Sequence, residues 1–249
     1  MTTTGSSAPP PIVGAPASWH IRRTEQSFRA VAARTPWVFL LIGWMFAYAT
    51  GAALALAVKL AGWWPGVGWE RRALVLAQDT VSPAMDAIML TLPYAGTNYT
   101  LAPLIAIAAV ILWRKGYATV ALHLLVVQAG SWTLNPALKF SFPRDRPTIF
   151  ESRGQHAFPA FPSGHAIAVV AVLLTVAYLI HRTGHGKWGY WVVGVFFVLN
   201  SYSRIYLSVH WPTDVIAGAL IGLVWLLWTV RAFDRVHRRS QKINPQAGR

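Results

Sequence analysis

Thr35–Val58 reads TPWVFLLIGWMFAYATGAALALAV and carries no Asp, Glu, Lys or Arg. A helix across the hydrocarbon core of a bilayer needs about 20 mostly apolar residues, so this stretch predicts a membrane span. Outward from it, Ala87–Trp113, Tyr117–Leu138, Ala166–Ile180, Trp188–Ser203 and Val215–Val230 are uncharged as well. The last three reach spanning length once their polar flanks are included. The pattern predicts an all-α polytopic membrane protein, a bundle of six transmembrane helices. Composition agrees: of 249 residues only 12% are charged, against about 25% in a soluble domain.

The formal net charge of +14 could point to nucleic acid, but the placement of the charges argues otherwise. With the N-terminus in the cytoplasm, the inner ends of the spans hold Arg22, Arg23, Arg29, Arg34, Arg114, Lys115, Arg182, Lys187 and Arg231. A basic tail follows. The outer ends keep Lys59, Arg71, Arg72, Lys139, Arg144, Arg146, Arg153 and Arg204. That excess of inner cations is the positive-inside bias, and it makes topology and anionic lipid the explanation of the charge. The expected setting is a cell membrane, with both termini cytoplasmic and no nucleic-acid partner. No cysteine is present, which excludes disulfide and thiol chemistry.

Residues 1–34 read as a disordered, basic cytoplasmic tail without the apolar core of a signal peptide, so the first span is expected to act as an uncleaved anchor. Phe28 and Val31 share a face within Gln26–Ala33, which predicts a helical extension of that span. Residues 35–232 form one domain, and 233–249 a second basic tail. Gly62–Trp69 mixes turn residues with interfacial tryptophans. Arg71–Leu92 reads as one or two short amphipathic helices on the outer face. Pro93 to Thr100 breaks it from the second span, the alternative being one tilted helix over Ala87–Trp113. The loop from about Pro136 to Pro162 is long for a compact bundle, and loops of that kind are usually functional.

Three segments carry the candidate chemistry, all at outer helix ends. Lys139-Phe-Ser-Phe-Pro-Arg-Asp-Arg146-Pro147 offers a mobile point charge in Lys139 and, in Arg146, a fork for two phosphate oxygens. Arg144 and Asp145 between them are expected to pair with each other or with solvent, and His156 further along has no evident partner. In Pro162-Ser163-Gly164-His165, Ser163 predicts an N-cap and Gly164 a close backbone approach. A helix start there favours a bound anion beside His165. In Ser203-Arg204…His210-Trp-Pro-Thr-Asp214, Pro212 suits a first helical turn. Asp214 can reach back to His210, fix its tautomer and leave Nε2 free. Taken singly, these segments read equally well as a capped helix, a structural His–Asp bond and a snorkelling arginine. Their common placement at one membrane boundary is what unites them.

In this order and spacing the segments resemble the three signatures of the type 2 phosphatidic acid phosphatases, a superfamily that includes the vanadium haloperoxidases. The likeness covers about residues 85–232. It implies a phosphatase without metal or other cofactor, acting through a phosphohistidine. By the resemblance His210 is the nucleophile, Asp214 orients it, and His165 protonates the leaving oxygen and then helps activate water. Lys139, Arg146, Arg204, Ser163 and the Gly164 N–H hold the phosphate oxygens. The expected substrate is a membrane lipid phosphate: isoprenyl diphosphate, by a slight lean, or phosphatidic acid, diacylglycerol diphosphate or phosphatidylglycerophosphate, among which the resemblance does not choose. A lipid phosphotransferase using the same site is the alternative. A non-catalytic anion transporter fits less well, because the spans hold no charged residue to line a midplane path.

Overall fold

Proline, glycine and capping hydroxyls divide the chain into its helices. The computed structural model describes residues 27–154 and 158–243, and among these the regular structure is helical throughout. Helix α1 (Phe28–Arg34) starts where Ser27 Oγ accepts from Ala30 N at 3.2 Å. It does not run on into the first span, because Thr35 before Pro36 is held extended, as the proline ring demands of the residue preceding it. Helix α2 (Trp37–Leu60) takes in most of the uncharged stretch first read as a span and adds Lys59 in its last turn. Helix α3 (Gly68–Gln78) and helix α4 (Pro83–Thr91) follow. A 3₁₀ turn over Leu92–Gly96 then separates α4 from α5 (Asn98–Arg114), which Thr97 caps. The break expected between Pro93 and Thr100 is therefore present.

Helix α6 (Ala118–Ser141) begins after Gly116 turns at a φ of 86°. The long loop leads to α7 (Gly164–Ala168), a π turn over Val169–Leu173 and α8 (Leu174–Arg182). Helices α9 (Trp188–Tyr206) and α10 (Pro212–Ile243) complete the bundle. By length and apolarity, three helical stretches could cross a membrane: Trp37–Leu60, Gly164–Arg182 and Pro212–Arg238. A fourth is possible if α3 and the Pro83–Gly96 stretch, bent by 119°, count as one broken span.

Small residues set how closely α7 and α10 approach. Gly218 and Gly222 stand four apart on α10, the small-xxx-small spacing of close helix pairs. A Cβ on Gly218 would lie 2.5 Å from the Ser163 carbonyl oxygen, and one on Gly222 2.8 Å from that of Ile167. Any side chain there would push Ser163–His165 away from the start of α10. Around this contact Leu134, Leu138, Ile167, Ala171, Ile221 and Trp225 form part of the main core, and Trp225 Nε1 donates to the Val127 carbonyl at 3.0 Å. Lipid-compatible packing thus brings three helix ends to one place.

Candidate active site

Short local structures aim each candidate residue. Arg204 lies in the last turn of α9, and its carbonyl accepts from both Val209 N and His210 N, at 3.1 and 3.3 Å. The chain reverses there because Ser208 adopts a φ of 56°, a left-handed conformation that costs a non-glycine residue about 1–3 kcal/mol. Pro212 then opens α10, with Asp214 in its first turn. Asp214 Oδ2 accepts from Trp211 N at 2.8 Å and lies 3.4 Å from His210 Nδ1. That separation faces the two groups without making a good hydrogen bond. Ser163 sits at the N-cap of α7 as expected, but its hydroxyl does not cap the helix. Its N–H instead donates to the Asp214 carbonyl at 2.9 Å, joining the second and third segments directly.

The cations come from the remaining segment and are held by backbone carbonyls. Lys139 Nζ donates to the carbonyls of Pro159 and Ala160. Arg146 donates to Phe158 and Val209 carbonyls. Burial lowers its guanidinium to about 10, with Asp214 opposing, which leaves it fully cationic at neutral pH. His210 is 2% exposed. Burial first, and then the charges of Lys139, Arg146, Arg204 and His165, hold its imidazole well below its ordinary value. All four must be close to matter in this way, so the three sequence segments meet around one ring. Ser163 Oγ, His165 Nε2, Arg204 Nε and His210 Nδ1 are buried with no hydrogen-bond partner among the described residues. Unmet polar atoms of this kind are costly in a folded interior and call for a ligand or an ordered partner.

A family model described as the PAP2 superfamily matches residues 119–238. Phosphatidylglycerophosphatase B of Bacillus subtilis is 33% identical over 64% of this chain and 81% of its own length. Undecaprenyl-diphosphatase of Sulfolobus acidocaldarius is 30% identical over 68% and 81%. The chain belongs to the PAP2 superfamily. Its fold agrees with the crystal structure of a transmembrane PAP2-type phosphatidylglycerolphosphate phosphatase from Bacillus subtilis, at a TM-score of 0.63 and 27% identity over 76% of this chain and 94% of that one. As a PAP2 enzyme the protein is a membrane phosphatase of a metal-independent family. Among the described residues, no group of three or more His, Cys, Asp or Glu could hold a metal ion.

Two further elements of this PAP2 site were not foreseen in the sequence. Arg144 was expected to pair with Asp145 or solvent; instead it is 1% exposed. Its NH1 donates to Asp214 Oδ1 at 2.7 Å and Thr213 Oγ1 at 2.6 Å. Its NH2 donates to Glu70 Oε2 at 3.0 Å and the Trp63 carbonyl at 2.7 Å, and Nε to the Trp64 carbonyl at 2.9 Å. The physical reason is burial, since a cation removed from water needs carboxylates and carbonyls around it. Glu70, on α3, also accepts from Thr213 N and Oγ1. The second element is the Pro93 carbonyl, which hydrogen-bonds the His165 ring. Proline offers only its carbonyl for this, so one ring nitrogen is fixed as a donor there and Nε2 turns to the site. The single available signal was Glu70 standing directly before Arg71 and Arg72. His156 lies outside the described residues.

Proposed function

We propose that this PAP2 phosphatase hydrolyses the phosphate monoester or diphosphate of a membrane lipid through a phosphohistidine on His210. The observation that carries the reading is the set of unpartnered buried atoms on Ser163, His165 and Arg204, gathered around the His210 ring beside Lys139 and Arg146. Phosphoryl transfer asks mainly for positioning and for stabilisation of charge on the equatorial oxygens. Three cations, the Ser163 hydroxyl and the Gly164 N–H supply both.

In the first step His210 Nε2 attacks phosphorus, and the bond to the lipid oxygen breaks. That oxygen takes a proton from Nε2 of His165, which enters the step as the imidazolium and leaves it as the neutral ring. Asp214 Oδ2 meanwhile accepts from His210 Nδ1–H and stabilises the charge formed on the His210 ring. Before this attack His210 keeps its Nε2 lone pair because its surroundings disfavour the protonated form. In the second step water attacks the same phosphorus, its proton passes to His165 Nε2, and the P–N bond breaks with its electrons returning to His210. General acid–base help of this kind is worth about 10²–10⁴-fold.

The topology in this reading has six spans: α2, α5, α6, α7–α8, α9 and α10. Both termini are cytoplasmic, and the site opens at the extracytoplasmic boundary, on the grounds of the positive-inside bias. The sequence leans towards an isoprenyl diphosphate, and the names of the relatives keep phosphatidylglycerophosphate beside it. Phosphate release in detergent from a panel of lipid phosphates, with EDTA present, tests the proposal, with His165→Ala and His210→Ala as controls. Release should persist in EDTA and be lost in both variants. Activity that dies with EDTA, or survives His210→Ala, overturns it.

A further inference from the structure

Deeper in the bundle than the cations lies a second polar layer. Asn135 stands one turn before Lys139 on α6, and Asn200 one turn before Arg204 on α9, each about 6 Å further from the helix end. Asn135 packs on Gly164, where a Cβ would lie 2.6 Å from its Nδ2 and 2.9 Å from its Oδ1. Asn200 packs on Gly96 in the same manner, at 2.6 Å. Gly96 ends the 3₁₀ turn whose Pro93 carbonyl meets His165, so both amides lie on the His165 side of the site. The layer continues along one face of α6 through Ser131 to Gln128, whose Nε2 donates to Asn98 Oδ1 at 2.9 Å.

Asn135 Oδ1, Asn200 Oδ1, Gln128 Oε1 and Ser131 Oγ are all buried without a partner among the described residues. Asn200 and Gln128 are 2% and 5% exposed, and Ser131 is fully enclosed. Inside a membrane such groups have no lipid partner. The layer is uncharged and rich in acceptors, so it suits a neutral O–H donor. A phosphate has no proton to give at these oxygens when ionised, and a cation would meet the charges of Lys139 and Arg204.

We propose that this amide layer is a water site that positions the nucleophile of the second half-reaction. The inference rests on the phosphohistidine reading above. In-line displacement puts the attacking and leaving groups on opposite sides of phosphorus. The lipid oxygen leaves on the side of His165, so the water that cleaves the P–N bond must enter there, where Asn135 and Asn200 lie. Its proton passes to the His165 Nε2 that the leaving group had just deprotonated. Asn135 and Asn200 are positioning residues in this scheme.

The test uses full-length enzyme with Asn135→Leu and Asn200→Leu, which keep volume but remove hydrogen bonding. Steady-state turnover should fall about a hundredfold, the loss that misplacing a reacting group commonly brings. The phosphoenzyme should accumulate on rapid quench, and kcat/KM for the lipid should stay unchanged because leaving-group departure precedes the slowed step. Serine at either position, which can still hold a water, should restore much of the lost turnover. The effect should be equal on farnesyl diphosphate, which has no hydroxyl, and on phosphatidylglycerophosphate, which has. A fall in kcat/KM without accumulation, or an effect confined to the hydroxyl-bearing lipid, overturns the water site and assigns the layer to substrate. Should the leucine variants not fold, exchange of ¹⁸O from water into inorganic phosphate reads the same half-reaction in Asn135→Ala and Asn200→Ala. Exchange at the wild-type rate overturns the proposal. Absence of any phosphohistidine in active wild-type enzyme would instead bring down the reading beneath it.

Discussion

Replacing Arg144 by methionine removes the cation that stands between two carboxylates with no exposed side-chain surface, Glu70 and Asp214. Methionine keeps most of the bulk and none of the donors. Breaking a buried ion pair from one side costs about 3–5 kcal/mol, because the partner stays buried and unpaired. Here both carboxylates are left, together with the Trp63 and Trp64 carbonyls. At about 2–4 °C per kcal/mol for a chain of this size, the apparent Tm should fall by about 6–20 °C. Arg144→Lys keeps the charge but replaces a planar fork by one nitrogen with three donors. It should lose on the order of half as much stability, and with it the aim of Asp214 at His210. Thermal unfolding in detergent, followed by size-exclusion fluorescence, measures the first effect, and kcat on folded protein the second. Combining Arg144→Met with Glu70→Gln should cost less than the sum of the two, since they share one interaction. An Arg144→Met protein that unfolds within about 2 °C of wild type would refute the network as drawn.

The remaining predictions concern the helix contact, the nucleophile and its partner. Gly218→Ala should destabilise by about 1–3 kcal/mol through overpacking and reduce kcat, because the new methyl meets the Ser163 carbonyl at 2.5 Å. Gly194→Ala, with nothing within 4 Å, is the control that should leave activity alone, and equal losses in both would discount the contact. Because the His210 pKa lies well below its ordinary value, the acid limb of kcat/KM should fall below about pH 6.5. Arg204→Gln removes one cause of that shift and should move the limb upward; a downward move contradicts the arrangement. The sign for stability follows: folded His210 binds its proton later than the unfolded chain does, so up to about 1.4 kcal/mol per pH unit is lost as pH falls below about 6.5. A wild type with a flatter acid stability profile than His210→Asn would contradict this. Asp214→Asn should lower kcat by about 10²–10⁴-fold, and a smaller loss would show that the His210 ring is oriented without the Asp214 carboxylate.

The helices and their ends were legible because hydropathy, proline and capping residues act locally. Pro212 opening α10, the break after Pro93 and the turn at Gly116 all fall where these rules put them. The meeting of the three segments was legible from their order along a membrane chain. What sequence could not supply were pairings set by tertiary folding alone. Glu70 is 74 positions from Arg144, on a helix whose tilt against the bundle depends on a 119° bend. The Pro93 carbonyl that fixes His165 is a backbone atom, which no side-chain pattern reports. Ser163 has the identity of a helix cap, yet the α7–α10 contact draws its N–H to the Asp214 carbonyl and leaves its hydroxyl to the site.

Arg144 and Arg146 stand two apart in one loop, and the difference between their surroundings explains how the site keeps its charge. Arg144 is closed in by Glu70 and Asp214 and is neutralised within the protein. Among the described residues Arg146 and Lys139 meet no carboxylate and are held by carbonyl oxygens, which orient a cation through their dipoles without cancelling its charge. Arg204 keeps Nε without a partner among the described residues. Charge is thus cancelled around Asp214, where a second anion would compete for the cage, and preserved where phosphate oxygens would lie. Preorganised charge of this sort, in a site largely closed to water, acts at low dielectric and needs no rearrangement during reaction. Moving one carboxylate into the cage, for example by Ser163→Asp, whose hydroxyl is buried there, should therefore weaken phosphate binding far more than the same change beside Arg144. An unchanged Ki for inorganic phosphate in that variant would show that the carbonyl-held cations are not the ones that bind it.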